Sequence, residues 1–271
     1  GIAGYAHAKK APLRHIEILD QQGNVEVSSS LKQTQPAQIT QVLNTIRTLY
    51  PSNVKQLWLN PLSLYPIPCD TEFSIGYIDD YYFFVQTKLL LDFKVNHSYL
   101  FVGKSYQERN NIAKLLLYRL QQRNQTVFII DDLFFKNNSN LNLFHNDNQE
   151  VLCVLFSNLK QNQNSYLFIT DLTLFLQNDI NREYLMNLLE MNQKYNIRLL
   201  LLNQSVVTIP YRILTLISCK ISLSIDNVQE VQALFSTTEK CIQKKSGYGL
   251  VMLHQNLLEC SFFQMGDIHE L

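Results

Sequence analysis

Tyr99-Leu100-Phe101-Val102-Gly103 is the stretch of sequence that decides the fold. Its four apolar residues, Tyr99 to Val102, predict a short buried strand that ends at a glycine. An amphipathic helix is predicted next, from about Gln107 to Gln121, because apolar residues recur on one face. A strand, a glycine turn and a helix N-terminus together form an anion site, since successive backbone N–H groups point at the ligand. The stretch therefore predicts the position of a phosphate-binding loop that begins at Gly103.

The same alternation of apolar strands and helices continues along the chain. Buried strands are predicted at Tyr99–Val102, Val127–Ile130, Tyr166–Thr170, Arg198–Leu202 and Lys220–Ile225. Helices are predicted between them at Gln107–Gln121, Gln149–Lys160, Asn181–Lys194 and Pro210–Ile217. This alternation is typical of βαβ units. The predicted fold class is therefore α/β, with a mostly parallel central sheet flanked by helices.

Both ends of the chain predict smaller additions to this core. Residues 1–11 are small and basic, and they read as a linker or a cloning boundary. A β-hairpin is predicted around Gln22-Gly23-Asn24, and a helix follows between Pro36 and Pro51. The last strands, Gly249–His254 and Leu258–Gln264, predict a closing C-terminal hairpin.

These patterns predict a single domain over residues 12–271, with an N-terminal extension at 12–72 and a core at 73–271. Within the core, Asp179 and Asp226 are predicted to cap helix N-termini. The aromatic run Tyr81–Phe84 is predicted to be buried strand; exposed contact anchors are the alternative.

Composition excludes several classes of function. Lys plus Arg and Asp plus Glu both total 23, so there is no global electrostatic reason to expect nucleic acid or an anionic membrane surface as partner. The five cysteines are odd in number and form no C-x-x-C pair, which argues against a disulfide framework or a zinc site. The six histidines form no H-E-x-x-H pattern, so no metal site is predicted.

The predicted phosphate loop departs from a working one. A working loop reads G-x-x-x-x-G-K-[ST], and counting from Gly103 places Glu108, Arg109 and Asn110 at its last three positions. Glu108 brings a carboxylate to polyphosphate, and two negative charges about 4 Å apart repel by roughly 4 kcal/mol at an effective dielectric near 20. Arg109 replaces a compact ammonium by a planar fork, and Asn110 replaces the hydroxyl that anchors Mg²⁺. We therefore expect a vestigial loop that holds neither ATP nor Mg²⁺.

A second register, in which Gly103-Lys104-Ser105 supplies the letters GKS, is disfavoured. It places Ser98 at the first glycine and builds the loop from Tyr99 to Val102, which are the predicted strand.

Two strand ends carry acidic residues that could serve a Walker B role. Val127–Ile130 is followed by Asp131-Asp132, but it comes directly after the first helix and is predicted to be a neighbouring strand. Tyr166–Thr170 is followed by Asp171, the better candidate, although Leu172 stands where a water-activating Glu is expected. For these aspartates a capping role and a vestigial magnesium role remain open.

Further segments strengthen one resemblance. They are Leu57–Leu62, Ile75–Asp80 with Gln86, Ser98–Leu117, Ile197–Ile213 and Gly247–Leu250. Their order, from about residue 12 to the end, resembles the FtsK/SpoIIIE-type ATPases, and most closely the coupling ATPases of type VII protein secretion. In the last segment Tyr248 stands where the family pattern G-R-G-L has Arg.

The resemblance implies a RecA-like P-loop NTPase fold, in a fragment of a larger membrane protein that ends at its natural C-terminus. It implies a place on the cytoplasmic face of the bacterial cell membrane, with other ATPase domains of the same chain and secreted substrate proteins as partners. The departures at Glu108, Arg109, Asn110, Leu172 and Tyr248 indicate a module without ATP hydrolysis, with no catalytic residues. A weakly active ATPase that uses Lys104 or Arg109, with ATP and Mg²⁺ bound, and a DNA-translocating motor are the alternatives.

Overall fold

The computed structural model describes residues 17–19, 25–27, 38–49, 60–68, 72–131, 133–135, 141–146, 149–161, 165–243, 245–253 and 255–265. The chain divides into two units, one of residues 1–57 and one of residues 58–271. The predicted domain limits at residues 12 and 73 stay predictions. Residues 1–11 lie outside the described part of the chain.

The first unit contains a hairpin and a helix. Strand β1 (Glu17–Leu19) pairs antiparallel with β2 (Val25–Val27), and helix α1 spans Gln38–Leu49. The hairpin and the helix were both predicted from the sequence, and both are confirmed. The prolines that were predicted to bound the helix, Pro36 and Pro51, lie outside the described residues.

The second unit is built on one large sheet. Its strands are β3 (Ser74–Asp80), β4 (Val85–Leu90), β5 (Ser98–Val102), β6 (Val127–Ile130), β7 (Asn142–Phe144), β8 (Tyr166–Ile169), β9 (Arg198–Asn203), β10 (Cys219–Ser222), β11 (Tyr248–Leu253) and β12 (Asn256–Phe262). Its helices are α2 (Tyr106–Gln122), α3 (Gln149–Gln161), α4 (Leu172–Phe175), α5 (Asp179–Tyr195), α6 (Tyr211–Leu216) and α7 (Val228–Phe235).

The strands follow the order β4-β3-β12-β11-β10-β5-β9-β8-β6-β7 across the described sheet. All neighbours from β10 to β7 run parallel, and β4 to β10 form an antiparallel extension. The predicted α/β class, with a mostly parallel sheet flanked by helices, is confirmed. The predicted C-terminal hairpin is also confirmed, as β11 and β12.

The parallel strands are buried on both faces, which explains their continuous apolar sequences. In β5 all five residues are buried, and alternate side chains enter two different core clusters. Phe101 packs in the cluster that contains Leu116 of α2, whereas Leu100 packs in the cluster that contains Leu188 of α5. A strand covered by helices on both faces needs no polar side, so its sequence does not alternate.

The aromatic run Tyr81–Phe84 was predicted to be buried strand, and that prediction is wrong. These residues form the turn between β3 and β4, and each of the four is at least 48% exposed. The turn forms because Asp80 Oδ1 accepts the backbone N–H groups of Tyr82 and Phe83, each at 3.1 Å. Phe84 then adopts a left-handed backbone conformation, with φ of 53°. The structure agrees with the alternative, in which these aromatic side chains are exposed.

The predicted helix caps are wrong by one residue. Asn178 caps α5 by accepting the Ile180 N–H, and Asn227 caps α7 by accepting the Gln229 N–H. Asn178 directly precedes the predicted cap Asp179, and Asn227 directly follows the predicted cap Asp226. Asp179 lies instead in the first turn of α5, where its carboxylate pairs with Arg182 at 2.9 Å.

Candidate phosphate-loop site

The turn that follows β5 is short. β5 ends at Val102 and α2 begins at Tyr106, so Gly103-Lys104-Ser105 is the whole connection. The Ser105 hydroxyl caps α2 by accepting the Glu108 N–H at 3.4 Å. Glu108, Arg109 and Asn110 therefore lie within the helix. The register that reads Gly103-Lys104-Ser105 as GKS is excluded, because it needs the residues of β5 as a loop.

Gly103 has a packing reason to be glycine. A Cβ atom added to Gly103 would lie 2.6 Å from Leu223 Cβ, which follows β10. Real Cβ atoms essentially never approach so closely. The close contact between the residues that directly follow β5 and β10 thus accounts for Gly103 independently of any ligand.

Arg109 occupies the turn with its own side chain. Its Nη1 atom donates to the Gly103 carbonyl oxygen at 2.6 Å and to the Lys104 carbonyl oxygen at 2.8 Å. The residue is 6% exposed, and this burial lowers the guanidinium pKa, an effect that the nearby carboxylate of Asp171 opposes. The Arg109 guanidinium, a charged donor from the first turn of α2, therefore joins two consecutive carbonyl groups of the loop.

Glu108 points to a different part of the sheet. It is 9% exposed, and its carboxylate accepts the Ser224 hydroxyl and the Gly247 N–H, the latter at 3.3 Å. The acid thus joins α2 to the segments that flank β10 and β11. It lines a cavity of about 200 Å³ with Asn111 and Tyr248, among others.

Lys104 and Asn110 complete the predicted loop residues. The Lys104 ammonium pairs with Asp226 at 3.3 Å and with Glu230 at 3.5 Å, and its hydrogen bond to Asp226 is the main cause that raises its pKa. Asn110 has a buried Oδ1 atom without a hydrogen-bond partner among the described residues.

The two acidic strand ends both cap backbone. Asp171 follows β8 and accepts the Leu174 N–H at 3.0 Å, which starts α4. Asp131 follows β6, is 1% exposed, and its two carboxylate oxygens accept backbone N–H groups and the Thr170 hydroxyl. Of the two roles left open by the sequence, this geometry favours capping. Asp132 lies outside the described residues.

One further buried polar residue at the same sheet edge belongs to the segment Ile197–Ile213 that carries the family resemblance, and it was not predicted as a site residue. Asn203 ends β9 with no exposed surface, and its amide group bonds to Thr173, Ser205 and Thr208. Its sequence signals are its polarity at the end of an apolar strand and its place in that segment. The network ties the turn after β9 to α4.

Tyr248 fills the place where the resemblance has Arg. Its hydroxyl donates to the Leu62 carbonyl oxygen at 2.8 Å, so it fastens the segment before β3 to β11. In the described part of the chain no group of three or more His, Cys, Asp or Glu residues is arranged to hold a metal ion. There is likewise no helix, among the described ones, with the length and apolarity that crossing a membrane requires.

The large, mostly parallel sheet flanked by helices, with a glycine turn between β5 and α2, matches the fold of P-loop NTPases. The fold is shared with "The cytoplasmic domain of EssC", at TM-score 0.56 and 11% identity over 95% of this chain and 60% of that one. It is also shared with Thermomonospora curvata EccC (ATPases 2 and 3) in complex with a signal sequence peptide, at TM-score 0.60 and 15% identity over 96% and 55%.

A third similar structure is the pCW3 conjugation coupling protein TcpA, as a monomer with ATPγS. Its TM-score is 0.61, with 12% identity over 91% of this chain and 86% of that chain. No protein-family model matches the sequence, and no curated protein matches it. The predicted resemblance to EssC-type ATPases is thereby confirmed as a likeness of fold. The chain spans about half the length of the EssC and EccC chains that it matches.

Proposed function

We propose that this chain is a degenerate ATPase-like module of a type VII protein secretion motor. In this proposal it contributes to substrate recognition and export, or regulates an adjacent motor domain, without hydrolysing ATP. The fold of EssC and EccC supports the class of machine. The larger chain, its other ATPase domains and its place at the cytoplasmic face of the membrane are parts of the proposal, since this chain spans about half of those relatives.

The bridge between Arg109 and the loop is the observation that carries the proposal. A phosphate loop works by presenting several backbone N–H groups to an anion. Here the connection has three residues, and a buried guanidinium holds two of its carbonyl groups. Each hydrogen bond from a charged donor is worth about 1.5–3 kcal/mol, so remodelling the loop around polyphosphate would sacrifice both. This cost supports a loop that does not hold ATP with Mg²⁺.

The neighbouring charged side chains support the same conclusion. Lys104, the cation of the loop, is already paired with Asp226 and Glu230. Glu108 supplies a buried carboxylate at the start of the helix, where a polyphosphate needs donors. This arrangement disfavours the weakly active ATPase that the sequence left as an alternative.

Nucleotide binding is the direct test. Thermal unfolding should be measured with and without 1 mM Mg-ATP, with 1 mM Mg-tripolyphosphate as the control for ionic strength. We expect the same melting temperature in all three samples. A dissociation constant of about 10 μM would instead stabilise the protein by about 2.7 kcal/mol and raise the melting temperature by several degrees. Such a rise, lost on Asp171→Asn, would refute the proposal.

Partner binding is tested separately. Secreted substrates of the same secretion system should be retained by this chain alone, or only by this chain joined to its preceding motor domain. Retention by neither would refute a role in substrate recognition. We also expect no shift of duplex DNA in a gel at low salt, because the net charge is zero.

A further inference from the structure

A second cleft lies where the parallel strands begin, at the end of the sheet opposite to Gly103. Tyr166 and Arg198, the first residues of β8 and β9, line it, and Arg123 joins them from the end of α2. Its volume is about 400 Å³, twice that of the cavity beside Glu108. The cleft lies within the second unit and shares no residue with the loop site.

The base of the cleft is aromatic. Phe93 meets three other rings edge to face: Phe73 at 5.3 Å, Tyr99 at 5.0 Å and Tyr166 at 5.1 Å between centroids. Edge-to-face contacts of this kind fix ring positions. The cleft therefore has a firm apolar base that an aromatic or aliphatic group can contact.

Two guanidinium groups lie on these rings. Arg198 lies 5.1 Å from the Tyr166 ring centroid and Arg123 lies 5.5 Å from that of Phe73. The Nε atom of Arg198 is buried and has no hydrogen-bond partner in the part of the chain that the structure describes. Among the described residues, no carboxylate forms an ion pair with Arg198. The charge of Arg198 is thus held in place by a ring and is not neutralised by an acid.

The acids of the cleft are already engaged. Glu72 pairs with Lys88 at 2.6 Å, and Asp92 accepts the backbone N–H of Lys94 at 2.9 Å. The cations of the lining are Lys94, Arg123 and Arg198. Asp92 keeps its negative charge in the lining and would repel a second negative charge on a ligand, so the cleft favours one carboxylate over a phosphate dianion.

We propose that this cleft binds a single carboxylate carried on an aromatic or aliphatic group. The guanidinium of Arg198 binds the carboxylate, because its planar fork matches carboxylate geometry. The rings around Phe93 bind the apolar part. The same chemistry is offered by a peptide C-terminus, by an acidic side chain beside an apolar residue, and by a small organic acid.

The probe is 3-phenylpropionate, titrated into the full chain and followed by the arginine Nε–Hε signals in NMR. We expect saturable shifts of the Arg198 signal. Arg198→Met should weaken binding by about tenfold, the loss of one charge-assisted hydrogen bond, whereas Arg198→Lys should retain part of it. Arg212→Met is the matched control, since Arg212 is an exposed arginine paired with Glu190 elsewhere on the surface, and it should leave binding unchanged.

Two analogues test the charge, and two peptides identify the source of the carboxylate. Neutral 3-phenylpropan-1-ol and dianionic phenyl phosphate should both bind at least tenfold more weakly. Acetyl-Gly-Phe carries its carboxylate at the chain terminus, and acetyl-Phe-Glu-amide carries it on a side chain. The peptide that binds more tightly identifies the source of the carboxylate. Binding of 3-phenylpropionate but of neither peptide would indicate a small organic acid. Equal binding of the alcohol, tighter binding of the phosphate, or an Arg198→Met protein that folds and binds as the wild type does would overturn the proposal.

Discussion

Replacement of Arg109 by methionine is expected to destabilise the second unit markedly. The methionine preserves the apolar length of the side chain but removes both hydrogen bonds to the loop carbonyls, which are 2.6 and 2.8 Å long. At about 1.5–3 kcal/mol for each hydrogen bond from a charged donor, the loss is about 3–6 kcal/mol. Removal of a buried charge returns part of that cost, so we expect a net loss of about 3 kcal/mol.

Urea unfolding followed by circular dichroism measures this loss directly. Arg212→Met is the matched control, because Arg212 is exposed and forms one surface ion pair with Glu190, worth at most about 1 kcal/mol. The free energy of unfolding of Arg109→Lys should lie between those of Arg109→Met and Arg212→Met, since an ammonium keeps the charge but lacks the planar geometry of a guanidinium. A stability of Arg109→Met within about 0.5 kcal/mol of the wild type would show that the guanidinium does not hold the loop, and would remove the main support for a nucleotide-free site.

Three further expectations follow from buried groups. Asp131→Ala should cost about 3 kcal/mol or more in urea unfolding, because several buried donors lose their acceptor; a loss below 1 kcal/mol would contradict this. Gly249→Ala should unfold at a temperature several degrees lower, since the new Cβ would lie 2.0 Å from the Ser222 carbonyl oxygen; an unchanged temperature would refute the register of β10 and β11. Burial raises the pKa of the Cys219 thiol to about 12 and also raises the pKa of the Cys260 thiol. Neither thiol should therefore react with iodoacetamide at pH 8 until the protein is denatured. Labelling of either cysteine in the native protein, detected by mass spectrometry, would contradict their burial.

Most elements of the core could be predicted because their signals are local. Helix α2 was expected at Gln107–Gln121 and spans Tyr106–Gln122, and the strand expected at Val127–Ile130 has those bounds. Buried strands and amphipathic helices each carry their periodicity within a few residues. The strand predicted to end at Ile225 ends at Ser222.

The errors arose where a side chain bonds to backbone. The run Tyr81–Phe84 has high strand propensity, yet Asp80 turns the chain by binding two N–H groups. The helix caps shifted by one residue because Asn and Asp are nearly equal as caps, and sequence does not say which of two neighbours adopts the extended backbone.

The sequence by itself determined the α/β alternation, the place of the loop after β5, and the departures at residues 108–110, because each is a property of adjacent residues. Only the tertiary structure decided what those departures do. Glu108 bonds to Gly247, and Lys104 pairs with Asp226, across more than a hundred residues of chain. Arg109 turns back on the loop because the helix begins at Tyr106, close to the end of β5. Such contacts depend on strand order and packing, which no local pattern encodes.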